Sequence, residues 1–166
     1  MIFSNIELGT GVEIDTSSSV NNISIGDNVK IAKRVSAFGN KDFPLQIGQG
    51  SYVGMNSVLN GYSARLSIGE NVSIAQNVNI MTDSGPNASS KLQRIFPIEK
   101  KEVTIGDHCW IGASAIIMPG VQLGKFCIVA AGSFVKGQFD DFSIIGGVPA
   151  KLIRKLNENE IKELLK

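Results

Sequence analysis

Six times the chain sets an aliphatic residue directly before glycine, and each such pair opens a run that advances in steps of six residues. The openings are Leu8-Gly9, Ile25-Gly26, Ile47-Gly48, Ile68-Gly69, Ile105-Gly106 and Leu123-Gly124. From them the aliphatic series runs Leu8, Ile14, Val20; Ile25, Ile31, Ala37; Ile47, Val53, Leu59; Ile68, Ile74, Ile80; Ile105, Ile111, Ile117; and Leu123, Val129, Val135. Small or β-branched residues fall four places after most of these, among them Val29, Ser57, Val72, Cys109, Ala115, Val121, Cys127 and Ser133. Neither a helical period nor a heptad fits a repeat of six. A short fixed repeat is instead the mark of a β-helix.

The repeat has a direct geometric meaning. Side chains alternate across a strand, so each aliphatic residue and the small residue two places before it share the interior. The polar pairs between them, such as Asp27-Asn28, Glu70-Asn71 and Gln76-Asn77, fall where the chain must turn. Asn, Asp and Gly tolerate the positive φ of tight corners. Three hexads close one triangular coil, and because a single coil cannot bury its own interior, coils must stack. Six coils at roughly 4.8 Å each predict an all-β prism about 29 Å tall. Cys109 and Cys127 occupy the same inward slot on successive coils, close enough for a disulfide, yet they read as small buried apolar residues and are assigned no chemistry.

With 166 residues and a net charge of +1, the chain is one unit of ordinary size without the basic surface that nucleic acid demands. No apolar run approaches the ~18 residues of a membrane span, and no basic-then-apolar leader opens the sequence. These features fit a soluble, cytoplasmic protein.

Function is expected where the repeat is interrupted. Short gaps at 21–24, 40–46 and 61–67 read as corner loops, and a long insertion spans 81–104. Loops longer than about a dozen residues in a compact domain are usually functional or disordered. After Val135 the pattern dissolves over 139–145, dividing a β-helix at 1–145 from an extension at 146–166. The extension ends in a short helix with Asn157 as N-cap, Glu160 three places on, Leu156 and Ile161 as a hydrophobic staple, and an apolar face of Ile161, Leu164 and Leu165.

Four segments in fixed order carry a resemblance to a known family: Ile105 to Gly112, Met118-Pro119-Gly120-Val121, Ala130-Ala131-Gly132-Ser133, and Gly147-Val148-Pro149-Ala150-Lys151-Leu152-Ile153-Arg154. Over nearly its whole length the chain resembles the hexapeptide-repeat acyltransferases. It is similar to the galactoside, maltose and xenobiotic O-acetyltransferases and to the sugar acetyltransferases of surface polysaccharide pathways. The resemblance implies a left-handed coil, against the usual right-handed crossover rule. It also implies a homotrimer with acetyl-CoA lying in clefts between prisms, and a sugar or sugar nucleotide as acceptor. Carried over residue by residue, it gives cofactor-binding roles to Trp110, to the backbones of Ala113 and Ala131, to Lys136, and to Lys151 and Arg154 at the phosphate end. Asn56 takes an acceptor-side role in catalysis. Such roles are chemically apt, since acyl transfer needs donors aimed at a developing oxyanion and cations suit a phosphorylated nucleotide.

One departure stands out. The family's base is a histidine in the long loop just before a proline, and here Gly85 precedes Pro86. The single histidine, His108, falls at a different corner and reads as a turn residue. Asp83, two places before Gly85, is the better-placed base. An ordinary carboxylate, with a pKa near 4, is a weaker base than imidazole and works near neutrality only when burial raises that value. An amine acceptor that binds unprotonated needs less help, which tilts the expectation toward an amino sugar. Two readings stay open: an acetyl-CoA-dependent O- or N-acetyltransferase, or a trimeric scaffold or CoA-binding protein that has lost catalysis. The γ-type carbonic anhydrases share the fold but need three zinc-binding histidines, so no metal is expected.

Overall fold

The computed structural model describes residues 4–166, wound into a three-sided parallel β-helix. The first face stacks Ile6–Leu8, Ile23–Ile25, Leu45–Ile47, Leu66–Ile68, Val103–Ile105, Gln122–Leu123 and Gln138–Phe139. The second stacks Glu13–Ile14, Lys30–Ile31, Tyr52–Val53, Ser73–Ile74, Trp110–Ile111, Ile128–Val129 and Ser143–Gly147, with Ala150–Lys155 added antiparallel at its end. The third stacks Ser19–Asn21, Ser36–Phe38, Val58–Asn60, Asn79–Met81, Ile116–Ile117 and Phe134–Val135. Among the described residues no helix is long and apolar enough to cross a membrane.

Every column expected from the repeat is present in register. Ile25 pairs with Leu8 and Ile47, Ile111 with Ile74 and Val129, and Ile117 with Ile80 and Val135. These columns form one continuous core: Ile23, Leu59, Ile80, Ile111, Ile117 and Ile145 are fully buried. Buried hydroxyls stitch successive coils, and among the described residues no buried side-chain nitrogen or oxygen is left unpaired. Ser51 Oγ donates to Gly69 O at 3.0 Å and accepts from Val72 N at 3.0 Å. Cys109 and Cys127 are free thiols on neighbouring coils, and their Sγ atoms donate to Gly124 O and Asp140 O.

Corners are built by residues in the left-handed region. Asn28 (φ 56°), Asn71 (φ 53°) and His108 (φ 59°) turn the chain from the first face to the second, and Asn56 (φ 60°) and Asn77 (φ 59°) turn it from the second to the third. Gly50 sits at one such corner with φ 68°, where a Cβ would lie 2.4 Å from Asn71 Oδ1. The short corner side chains thus stack as the coils do.

The repeat does not dissolve after Val135, contrary to the sequence expectation. Phe139 continues the first-face column beneath Leu123, and Ile145 pairs with Val129 and is fully buried, so a seventh coil covers two faces. Physically, the stack needs a cover over Leu123 and Val129, and these residues supply it. The extension is also more than a lead into a helix. Ala150–Lys155 doubles back on Ser143–Gly147, and helix Glu158–Leu164 follows with the expected capping box from Asn157 and Glu160. Its apolar face is only partly covered, since Leu164 and Leu165 remain 47% and 66% exposed.

The long insertion is ordered. Asp83–Ser84 pairs antiparallel with Glu99–Lys100, and a single helical turn, Ser90–Gln93, lies between them. Ser89 Oγ caps that turn by accepting from Leu92 N, and Gln93 Nε2 donates to Pro86 O at 3.0 Å.

Candidate active site

Three corner segments with extra residues, 39–44, 61–65 and 82–102, all follow the third face, so they stack along one edge of the prism. Asp83 lies there, half-buried at the root of the insertion. Its carboxylate is engaged from the corner below: Ser63 Oγ donates to Oδ2, and Asn60 Nδ2 approaches Oδ1 at 3.4 Å. The adjacent Thr82 is fully buried, and its hydroxyl donates to Asn60 O and accepts from Ala64 N. Neither Ser63, Asn60 nor Thr82 was marked by the sequence repeat. The signal available was that the gaps 40–46, 61–67 and 81–104 all follow the third face, which obliges their polar side chains to meet.

Asn56 lies on a different edge, between the second and third faces. Its Oδ1 accepts from Arg34 Nε at 2.7 Å, and its Nδ2 donates to Asn77 Oδ1 at 3.2 Å, so it is one rung of a corner ladder. Ala113 and Ala131 occupy the same edge on successive coils, joined by Gly132 N donating to Ala113 O at 2.8 Å. The approach there is close: a Cβ on Gly112 would lie 2.5 Å from Ala131 N. Among the described residues the amides of Ala113 and Ala131 donate to no group of the chain, which leaves two backbone donors at one corner.

Trp110 projects from the second face, 55% exposed, between Ser73 and Ile128 in the ladder. With Phe126, Ile128, Leu156 and Leu164 it lines a recess of about 410 Å³ beside the C-terminal helix. A larger open groove of about 710 Å³ runs over the early coils by Lys30, Tyr52 and Met55 and contains none of the expected site residues. Lys136 stands on the edge of Asp83 but two coils further on, its Nζ 5.3 Å over the Phe134 ring. Lys151 is exposed on the added strand opposite Gly146 and, among the described residues, makes no ion pair.

Arg154 is already occupied. Its guanidinium grips Glu160 bidentately at 2.7 and 2.8 Å, and Glu160 Oε2 also accepts from Asn157 N at 2.7 Å. The Arg154 guanidinium first, then the Asn157 amide, hold the Glu160 carboxyl down at about 2, from an ordinary 4.5. Because the folded value is the lower one, the stabilisation is fully present above pH 4.5 and is lost as pH falls toward 2. Amides at the start of the terminal helix should therefore lose hydrogen-exchange protection across that window. Glu160→Gln should lack the transition, and a transition surviving in that variant would contradict the pairing.

His108 does not face the insertion. Its left-handed backbone turns the corner from first face to second, and its ring stacks on Phe126 at 4.7 Å and 5°, with Phe142 continuing the stack. The expected site residues thus divide between two edges and one face of a single prism. Asp83 and Lys136 share one edge, Asn56, Ala113 and Ala131 another, and the outward third-face residues Val58, Asn79, Ile116 and Phe134 lie between them.

A stacked β-helix with a polar insertion on one edge defines a class before it defines a protein. The family profile described as bacterial transferase hexapeptide (six repeats) matches residues 102–137. These residues carry the hexapeptide repeat of that family, and the fold is the left-handed β-helix of the hexapeptide-repeat acetyltransferases. It is 32% identical over 139 residues to the galactoside O-acetyltransferase of Lactococcus lactis, covering 83% of this chain and 65% of that protein. To the galactoside O-acetyltransferase of Escherichia coli it is 31% identical over 117 residues, covering 70% and 56%. The chain therefore spans somewhat more than half the length of these relatives. Among solved structures it is similar to AntD, an N-acyltransferase from Bacillus cereus in complex with dTDP and 3-hydroxybutyryl-CoA, at 28% identity and TM-score 0.78, covering 95% and 86%. A serine-to-cysteine variant of AntD was solved with dTDP-4-amino-4,6-dideoxyglucose and coenzyme A.

Proposed function

We propose that this protein transfers an acyl group, acetyl in the simplest case, from coenzyme A to an amino group of a nucleotide-linked sugar, and that it does so as a homotrimer. The single observation that carries the reading is the Asp83 carboxylate, held by Ser63 and Asn60 on the edge from which the insertion departs, in a chain whose fold matches an N-acyltransferase bound to dTDP and an acyl-CoA. Separation of the remaining candidates onto another edge supports the trimer. Packing three prisms side by side brings the Asp83 edge of one against the Ala113 and Ala131 edge of the next. The AntD complexes with an amino sugar nucleotide and with dTDP favour that acceptor class.

In the proposed reaction the acceptor nitrogen attacks the thioester carbonyl carbon. The carbonyl electron pair moves to oxygen, where the two amides at the Ala113–Ala131 corner stabilise the charge. Asp83 accepts the proton that the nitrogen gives up. Collapse of the tetrahedral intermediate re-forms the C=O bond and breaks the C–S bond, and the proton is passed on to the leaving CoA sulfur. Trp110 and Lys136 flank the bound donor. Lys151 and Arg154 face its phosphates, and Asn56 lies on the acceptor side.

Of the two cations, Lys151 is the freer, so Lys151→Ala should weaken CoA binding about tenfold, as loss of one charge-assisted contact implies, while pantetheine, which lacks the nucleotide phosphates, binds unchanged. Arg154→Ala should mainly unfasten the terminal helix by stranding Glu160. Equal losses for CoA and pantetheine in calorimetric titrations would show that Lys151 does not read the phosphates. The reading itself is tested by following free thiol released from acetyl-CoA against a panel of dTDP- and UDP-linked amino sugars. It predicts release that requires an acceptor and fails if no acceptor raises the rate above that of acetyl-CoA alone.

A further inference from the structure

We propose that Ser63 is the positioning residue for Asp83, so that the 61–65 corner, and not the insertion alone, sets the competence of the site; the inference rests on Asp83 being the proton acceptor. The backbone of Asp83 is fixed from three directions. Its strand pairs with Lys100, Thr82 N donates to Asn60 O at 3.0 Å, and Lys101 N donates to Thr82 O at 3.0 Å. The carboxylate is not fixed by any of these. The terminal torsion of an aspartate is broad, so the orientation of its oxygens must come from hydrogen bonds.

Two donors supply it, one per oxygen, both from the preceding corner. Asn60 Oδ1 accepts from Tyr62 N at 3.0 Å, which settles the amide so that Nδ2 faces Asp83 Oδ1. That contact, at 3.4 Å, lies at the limit of a hydrogen bond, whereas the Ser63 hydroxyl donates to Oδ2 well within that limit. Ser63 is therefore the principal constraint. It leaves lone pairs on both carboxylate oxygens for the acceptor's proton. Its own place is held because Thr82 Oγ1 accepts from Ala64 N at 3.3 Å, locking the corner to the root of the insertion.

The test is a double-mutant cycle in steady-state kinetics with acetyl-CoA and dTDP-4-amino-4,6-dideoxyglucose, run on the full chain after confirming unchanged melting temperatures. Ser63→Ala should lower kcat about 10- to 100-fold, as misplacement of a reacting group does, with KM for acetyl-CoA unchanged, and Ser63→Thr should restore most of the loss. In an Asp83→Asn background Ser63→Ala should cost nothing further, because residues acting through one contact are not additive. The inference is overturned if Ser63→Ala leaves kcat intact, or if its loss multiplies with that of Asp83→Asn. Full activity in Asp83→Asn alone would instead sink the assignment of the base, and the role of Ser63 with it.

Discussion

Ile111→Asp should yield no folded protein. Ile111 is fully buried between Ile74 and Val129 in the second-face column, with aliphatic side chains above and below it. Truncating such a side chain costs about 2–5 kcal/mol through lost burial and the cavity left behind. Stranding a carboxylate there without a partner adds several kcal/mol more. Together these approach the roughly 5–15 kcal/mol that holds a domain folded. Ile111→Val, which keeps the shape and removes one methyl, should cost only about 0.5–1.5 kcal/mol. Thermal melts of the two variants beside the wild type are the check, and an aspartate variant melting normally would mean that the register is wrong.

The second large effect is on chemistry. Asp83→Asn should reduce kcat by about 10²–10⁴ while leaving coenzyme A affinity as it was, since Asp83 itself is given no contact with the coenzyme. His108→Asn is the matched control. Asparagine already occupies the equivalent corners at Asn28 and Asn71 with φ near that of His108, so kcat should hold. Stability should fall only by about 0.5–1.5 kcal/mol for the lost ring stacking. The reverse pattern, with His108 essential and Asp83 dispensable, would require His108 to reach a neighbouring prism's cleft. Rebuilding a histidine at Gly85 is not a clean gain-of-activity experiment. A Cβ there would lie 2.8 Å from Ile98 Cα, so the two strands of the insertion would have to part.

The columns, faces and corners were legible because a hexad repeat maps one-to-one onto a three-sided coil, and Asn28, Asn71 and Asn77 mark the turns by their own chemistry. The seventh coil was not legible, because it opens on Phe139-Asp140 and lacks the aliphatic-glycine pair that marks the other six. Strand Ala150–Lys155 was hidden for a different reason: it pairs on a surface and leaves Leu152 and Ile153 51% and 64% exposed, so no burial period is written into it. At the site, Asp83 could be found by asking what remains when a loop lacks its histidine. The ring of Asn60, Ser63 and Thr82 was not found, because the shared edge of the gaps 61–67 and 81–104 brings two corners together without saying which of their polar side chains meet. Arg154 was read as a cation at the phosphate end of the cofactor, and only the folded extension shows it paired with Glu160.

The most direct measurement of the central claim is mass spectrometry of the acceptor after incubation of the wild-type protein with isotope-labelled acetyl-CoA and a dTDP-linked amino sugar. The account predicts a labelled acetyl group on the sugar nitrogen, formed in step with free coenzyme A and lost in Asp83→Asn. An unmodified acceptor in the presence of bound, intact acetyl-CoA would contradict it and leave the chain a coenzyme A-binding scaffold.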